Sequence, residues 1–270
     1  MRKILKKIRS AKWRRYLLST ILFFLSLQGL KQRHTILALK NKYCGKRCFI
    51  IGNGPSLRAE DLELLHLHNE ISFAANHISK IFPKTNWRPT FYCVSDEGLQ
   101  RKIQNIMSET SADLKFFTRK YFFYTRKVAG NCIYLNADTD RKLLTAPLFA
   151  KNILNKIYSI ATVTYISIQI AVYAGFKEIY LIGVDHSYPK MHNADGSIQE
   201  KHKARAHFYN DANDENQKRL LIPFESEMDI AYKKAKEHAD EHGISIFNAT
   251  RGGGLEIFPR VDFDTLFPTL

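Results

Sequence analysis

Short apolar runs recur along this chain, and each stops at a polar or glycine-rich turn. Cys48–Ile51 reads as a buried strand that runs into Gly52-Asn53-Gly54-Pro55-Ser56. Ile71–Ala75 reads as a second strand, ending at Asn76, and Thr90–Val94 as a third, ending at Ser95-Asp96-Glu97. Leu114–Thr118 and Cys132–Leu135 are weaker strand signals. Ala161–Ala174 is almost wholly apolar and stops at Gly175, the pattern of a buried helix with a glycine cap. Glu178–Val184 is the clearest strand and ends at Asp185. Residues 186–223 are polar, rich in His, Asn and Asp, and lack periodicity. Their length suits an active-site lid or a small subdomain. Met228, Ala231, Tyr232, Ala235 and Ala239 then recur at helical spacing, and Gly243 stops the helix. Ile244–Phe247 is a last strand, which runs into Asn248-Ala249-Thr250-Arg251-Gly252-Gly253-Gly254.

Strands alternating with helices predict a Rossmann-like, doubly wound α/β fold with a mostly parallel sheet. One such domain, residues 46–270 with the lid at about 186–223, follows an appendage at 1–45. In such sheets ligands bind beyond the carboxyl ends of the strands. The polar residues Asn53, Asn76, Asp96, Asp185 and Arg251, and the glycine-rich turns, fall at those ends.

Charge changes the picture at one end only. The chain carries 41 Lys/Arg against 26 Asp/Glu, a net charge of +15. Residues 1–47 hold 14 of the basic residues and no acidic one, which leaves 27 basic against 26 acidic elsewhere. The body therefore lacks the basic stripe of a nucleic-acid binder. Tyr16–Leu30 is uncharged and flanked by Arg14, Arg15, Lys31 and Arg33. At 15 residues it is shorter than the roughly 20 needed to span a bilayer. It reads as an uncleaved interfacial anchor on an anionic membrane, at the cytoplasmic face of the inner membrane. A helix docked on the protein's own body and a single span are the competing readings. Cys44, Cys48, Cys93 and Cys132 lack the paired spacing of a zinc site. Cys48 and Cys93 lie inside strand-like runs and read as buried thiols.

Several strand-end residues have chemistry to offer. In Gly52–Ser56 the glycines allow close backbone approach and Pro55 fits a first helical position, so free N–H groups there suit a phosphate. A plain tight turn is the alternative. Asn76 offers a donor and an acceptor to a ribose or base edge, or caps a turn. Asp185 is placed to orient a sugar hydroxyl, act as a base or bind a metal, and Tyr188 to donate to a departing phosphate. His186, His192, His202 and His207 match no metal signature. His207 is flanked by Phe208 and Tyr209, with Asp211 near enough to orient it, and is a sensible general base. Arg251 and Arg260 suit phosphate or carboxylate pairing with Glu256 as a partner, unless the segment is a structural clasp.

These motifs resemble a known family. Ile50–Leu57 (IIGNGPSL), Gly175–Asp185 (GFKEIYLIGVD) and the Asn248–Asp264 stretch look like those of the bacterial MptE-like family, which takes its name from a 6-hydroxymethylpterin diphosphokinase. Its members often accompany surface-polysaccharide functions. The first two motifs also resemble those of the small Rossmann-like bacterial sialyltransferases. The resemblance covers roughly residues 46–265. It implies that Gly52, Asn53, Gly54, Pro55 and Ser56 form the donor-phosphate loop, that Asn76 contacts the nucleotide, and that Thr162 opens the donor-binding helix. Val163 and Thr164 stand where the sialyltransferases have Ser-Gly, and their general-base histidine has no counterpart here.

The expected function is a membrane-associated glycosyltransferase acting in cell-surface glycan synthesis. Its donor is a nucleotide-activated sugar, with a CMP-sugar the candidate by resemblance, and its acceptor a glycan or lipid-linked glycan. Asp185, Tyr188, His207 and Arg251 are the catalytic candidates, and no metal is required. A diphosphokinase is the alternative. It needs Mg²⁺, with Asp96, Glu97 and Asp185 as ligands. A non-catalytic nucleotide-binding scaffold of an envelope assembly is the third reading.

Overall fold

The computed structural model of the chain describes residues 27–119, 131–187, 190–192, 197–200, 207–209 and 225–268. Its centre is an eight-stranded sheet in the order β10-β7-β1-β2-β3-β4-β5-β6. The strands are β1 (Arg47–Ile51), β2 (Ser72–Ala75), β3 (Phe91–Val94), β4 (Leu114–Arg119), β5 (Cys132–Asp138), β6 (Ile157–Tyr158), β7 (Glu178–Ile182) and β10 (Ser245–Asn248). Every pairing in this sheet is parallel. The chain leaves β1 in one direction as far as β6, then returns to lay β7 and β10 on the other side. The order therefore reverses between β1 and β7, where an open α/β sheet holds its ligand.

Both faces of the sheet are covered, which is why its strands read as unbroken apolar runs rather than alternating ones. In β1, Cys48 and Ile50 join one core and Phe49 and Ile51 the other. The first core is roofed by α1 (Leu27–Leu39), α5 (Val163–Ala174) and α6 (Glu225–Glu241). The second is covered by α2 (Ala59–Leu67) and a 3-10 turn (Ile78–Lys84), together with the two short helices α3 (Glu97–Lys102) and α4 (Gln104–Glu109) and the C-terminal Phe263 and Phe267. The α5 helix is buried almost all round. Thr162 caps its start by accepting from the Thr164 N–H, and Gly175, at φ 96°, ends it.

Buried glutamines stand in for missing strand neighbours. Gln32 of α1 donates to the Tyr134 carbonyl at 2.9 Å and accepts from the Tyr134 N–H at 2.8 Å. It fills the stretch of β5 that the two-residue β6 does not reach. Gln169 of α5 likewise donates to the Tyr158 carbonyl and accepts from the N–H groups of Ala150 and Tyr158. Each pairing satisfies backbone groups that would be costly to bury alone.

The structure corrects the sequence reading in several places. The basic connector, residues 31–46, is mostly helix and turn, and α1 includes the last apolar residues of the uncharged run. Ile36 and Leu39 bury that helix in the first core, so residues 27–39 dock on the body. The rest of the proposed anchor lies outside the described residues. Among the described residues no helix is long and apolar enough to cross a membrane. The two weak strand signals are full members of the sheet, and the second runs on to Asp138. Part of the polar stretch forms an antiparallel hairpin, β8 (Lys190–His192) with β9 (Ile198–Glu200), and most of the remaining lid lies outside the described residues.

Candidate functional site

A cavity of about 240 Å³ opens at the carboxyl ends of β1, β2 and β7, against the start of α5. It brings together Asn53, Asn76, Thr162, Asp185 and His207, five residues that the sequence singles out. Their elements explain the meeting. Asn53 follows β1, Asn76 follows β2, Asp185 follows β7, and Thr162 precedes α5. His207 arrives from the lid, where the Phe208 N–H donates to the Asn53 carbonyl at 3.0 Å. The ring of Tyr209 stacks on His207 and carries the Lys80 ammonium 4.1 Å from its centroid.

Three residues lining this cavity hold a left-handed backbone without being glycine: Asn76 (φ 54°), Ala161 (φ 53°) and His186 (φ 50°). Asparagine and histidine are enriched in that conformation, whereas Ala161 is strained in it. Such strain gathers where a surrounding structure holds groups for use.

Asn53 carries an unused acceptor. Its side-chain amide donates to the Ala75 carbonyl at 2.9 Å, which fixes which end of the amide is nitrogen. Its Oδ1 is buried and has no hydrogen-bond partner among the described residues. A buried acceptor left open is costly, and a ligand hydroxyl or amino group would satisfy it.

The glycine loop does something other than the sequence implies. The Gly52 N–H donates to the Ile182 carbonyl at 2.8 Å and the Gly54 N–H to the Gly183 carbonyl at 2.9 Å. The Ser56 N–H points at Asp185 Oδ2 and the Leu57 N–H at the Gly54 carbonyl. The helix starts only at Ala59, so Pro55 lies in a turn and not at a first helical position. These N–H groups are committed to the protein rather than offered to a phosphate. The glycines are needed because β1 and β7 end almost in contact: a Cβ on Gly52 would lie 2.2 Å from the Gly183 oxygen, and one on Gly54 1.8 Å from Asp185 Oδ2. Of the two helix starts on the cavity, that of α3 is capped by the Asp96 carboxylate, and that of α5 presents Thr162, Val163 and Thr164. Its dipole favours an anion there.

Asp185 is largely buried. The Ser56 hydroxyl donates to its Oδ2 at 2.7 Å, and the Gly254 N–H donates to its backbone carbonyl at 2.7 Å. Burial pushes its carboxyl above the ordinary value, with the Ser56 contacts opposing. Next to it, His186 Nε2 lies 2.9 Å from Asp229 Oδ1 on α6, and its ring meets Tyr232 edge-on. Burial pushes the Tyr232 hydroxyl pKa up, with Thr162 and Thr164 opposing. Sequence reasoning missed this His–Asp pair. The residues are 43 positions apart, and the only hint was an acidic residue on the apolar face of a helix start.

Arg251 is not at the cavity. Its guanidinium forks onto Asp61 through two bonds, Nε to Oδ2 at 3.1 Å and Nη2 to Oδ1 at 2.9 Å, and also grips Asp264. These partners hold it still further toward the charged form. The clasp reading of the C-terminal stretch is therefore the right one for Arg251. Arg260 similarly pairs with Glu256 and binds the carbonyls of Gly252 and Gly253. The metal set of the diphosphokinase reading also fails to assemble. Asp96 lines the cavity but caps α3 by accepting from the Leu99 N–H, and Glu97 faces Arg101. Among the described residues Asp96, Glu97 and Asp185 do not converge on a common point. Tyr188 lies outside the described residues.

Comparison with known proteins agrees with this architecture. The fold is similar to the structure of MAf glycosyltransferase from Magnetospirillum magneticum AMB-1, with a TM-score of 0.50 and 17% sequence identity. The match covers 87% of this chain and 38% of that one, so the chain spans well under half of its length. No curated protein matches the chain in sequence. The model of the 6-hydroxymethylpterin diphosphokinase MptE-like family matches residues 23–191, a stretch that runs from before α1 through β7 to Asp185 and His186. The chain belongs to the MptE-like family.

Proposed function

We propose that this protein is a glycosyltransferase that uses a nucleotide-activated sugar to extend a cell-surface glycan. The observation that carries the reading is the cavity at the β1/β7 switch point. There Asn53, whose buried side-chain oxygen has no partner among the described residues, lines one space with the start of α5, His207 and His186, the last bonded to Asp229. In this reading the α5 N-terminus and Thr162 hold the donor phosphate and stabilise the charge that grows on the leaving nucleotide. Asn53 and Asn76 read the ribose or base. A histidine takes the proton of the acceptor hydroxyl as it attacks the sugar carbon, and the nucleotide departs from the opposite face. His207 fills that role, and His186, oriented by Asp229, is the second candidate. Asp185 and Ser56 position the loop. The reaction requires no metal. The basic segment before α1 keeps the enzyme on anionic lipid at the cytosolic face, near a lipid-linked acceptor.

The family's name favours a second reading, transfer of pyrophosphate from ATP to a hydroxymethylpterin. That chemistry needs a divalent ion at the phosphates. The residues do not fit it, because Asp96 and Glu97 are occupied elsewhere and do not meet Asp185.

A thermal-shift series against CMP, UDP, GDP and ATP, each with and without Mg²⁺, separates the two. A ligand that binds only the native state raises the melting temperature by mass action. Stabilisation by CMP, UDP or GDP without metal supports the transferase and narrows the donor. Stabilisation by ATP alone, and only with Mg²⁺, rejects it in favour of the kinase.

A further inference from the structure

We propose that His238, Glu241 and His242 form a binding site for one divalent transition-metal ion, of which zinc is the best chemical fit, at the carboxyl end of α6. One ligand atom from each of the three residues lies within 4.8 Å of the other two. The two histidines are four positions apart on a helix, so their rings stand one above the other on one face, and Glu241 borders the same face. This is the histidine spacing that helical zinc sites use. The ring centroids of His238 and His242 are 4.0 Å apart.

The site is pre-arranged in four ways. The ring of Phe149 stacks on His238 at 4.0 Å and limits its rotation. The Nδ1–H of His242 donates to the His238 carbonyl at 2.8 Å. A ring nitrogen bonded to a backbone carbonyl leaves the lone pair of a neutral imidazole on Nε2, the common second-sphere arrangement of metal-bound histidine. The helix end itself is pinned: Gly243, at φ 61°, turns the chain and the Ile244 N–H closes back onto the Ala239 carbonyl at 2.9 Å. Finally, the carboxyl end of a helix carries partial negative charge and attracts a cation. Two imidazoles and a carboxylate are a borderline-to-hard ligand set that suits zinc, and the fourth position is left to water.

This place is not the catalytic cavity. Asp229, which bonds His186 there, lies twelve residues before Glu241, roughly 18 Å along the helix. All three ligands lie in the last turn of α6 or directly after it, so the ion would staple that helix end, and its first effect would be on stability.

The test is titration of the full-length, untagged, metal-free chain with Zn²⁺, and in parallel with Co²⁺, at neutral pH. The expected result is one ion per chain, a raised melting midpoint, and visible Co²⁺ bands without the charge-transfer absorption of a thiolate ligand. His242→Gln and Glu241→Gln should each weaken binding at least about tenfold. Their midpoints with chelator present should match that of the metal-free parent, because both side chains are exposed and the fold does not depend on them. The proposal is overturned if the parent binds no ion, if both variants bind Zn²⁺ as tightly as the parent, or if the cobalt spectrum shows thiolate ligation.

Discussion

The Ser56 hydroxyl and the Asp185 carboxylate are joined by a 2.7 Å hydrogen bond across the gap between β1 and β7. The two residues are 129 positions apart, yet this contact sits at the one place where the strand order reverses. It fixes the floor of the cavity, and it does so with a carboxylate that burial disfavours as an anion.

That burial gives a pH signature. A carboxyl whose native pKa lies above its unfolded value binds more protons in the native state within that window. Stability therefore falls as pH rises from the unfolded pKa through the native one. Asp185→Asn removes this contribution while keeping an acceptor for Ser56. The variant is expected to melt higher than the parent at neutral pH, and the gap should shrink as pH falls through the native pKa and close below the unfolded one. A gap that widens in acid would show the sign to be wrong.

His207→Ala should lower turnover by about 10²–10⁴-fold, the usual span for a lost general base, and leave nucleotide binding intact. Steady-state rates with a soluble acceptor, beside a nucleotide titration, check both halves. Full turnover in His207→Ala together with its loss in His186→Ala would move the role to the Asp229-oriented histidine.

Arg251→Ala should unfold the C-terminal clasp rather than weaken donor binding. Removing one partner of a buried ion pair costs about 3–5 kcal/mol, and Asp61 is buried while facing it. Urea melts measure the loss. Adding Asp61→Asn should recover part of it, because the orphaned charge is then gone. Loss of nucleotide affinity without loss of stability would return Arg251 to the site.

Truncation should distinguish the segment before α1 from α1 itself. Removing residues 1–26 is expected to leave the melting temperature unchanged and to release the protein from anionic vesicles. Gln32→Ala should cost about 1–3 kcal/mol, since it strips partners from both backbone groups of a buried strand residue. Co-sedimentation and thermal melts read the two effects. Continued pelleting of the truncated chain would show that the basic segment is not what holds the membrane.

What the sequence revealed and what it hid follow one physical division. Strands buried on both faces announce themselves as apolar runs, so Cys48–Ile51 and Glu178–Val184 were legible, as was the Gly175 cap. The polar residues at strand ends were legible because the parallel sheet directs ligands there, and Asn53, Asn76 and Asp185 do share one cavity, together with Thr162, which the family resemblance marked, and His207 of the lid. Long-range partners were not legible. Nothing local marks Arg251 as the partner of Asp61, 190 residues away, or Gln32 as a substitute strand neighbour for Tyr134. The glycines misled for the same reason. Gly52 and Gly54 signalled close approach, but what approaches is the backbone of Gly183 and the side chain of Asp185 rather than a phosphate.

The reversal of strand order also sets a timetable for synthesis. Arg47 pairs with Glu178, so one edge of β1 waits for a partner made about 130 residues later. At 5–20 residues per second that is roughly 6–26 s. During that interval the newborn chain can build β1 through β6 and yet must present the bare edge of what becomes an interior strand. Exposed strand edges recruit other strands. The chain is therefore most open to misassociation on the ribosome, and the arrival of Glu178–Ile182 is the event that covers this edge of β1 and begins the ligand cavity, which His207 and Tyr232 complete later.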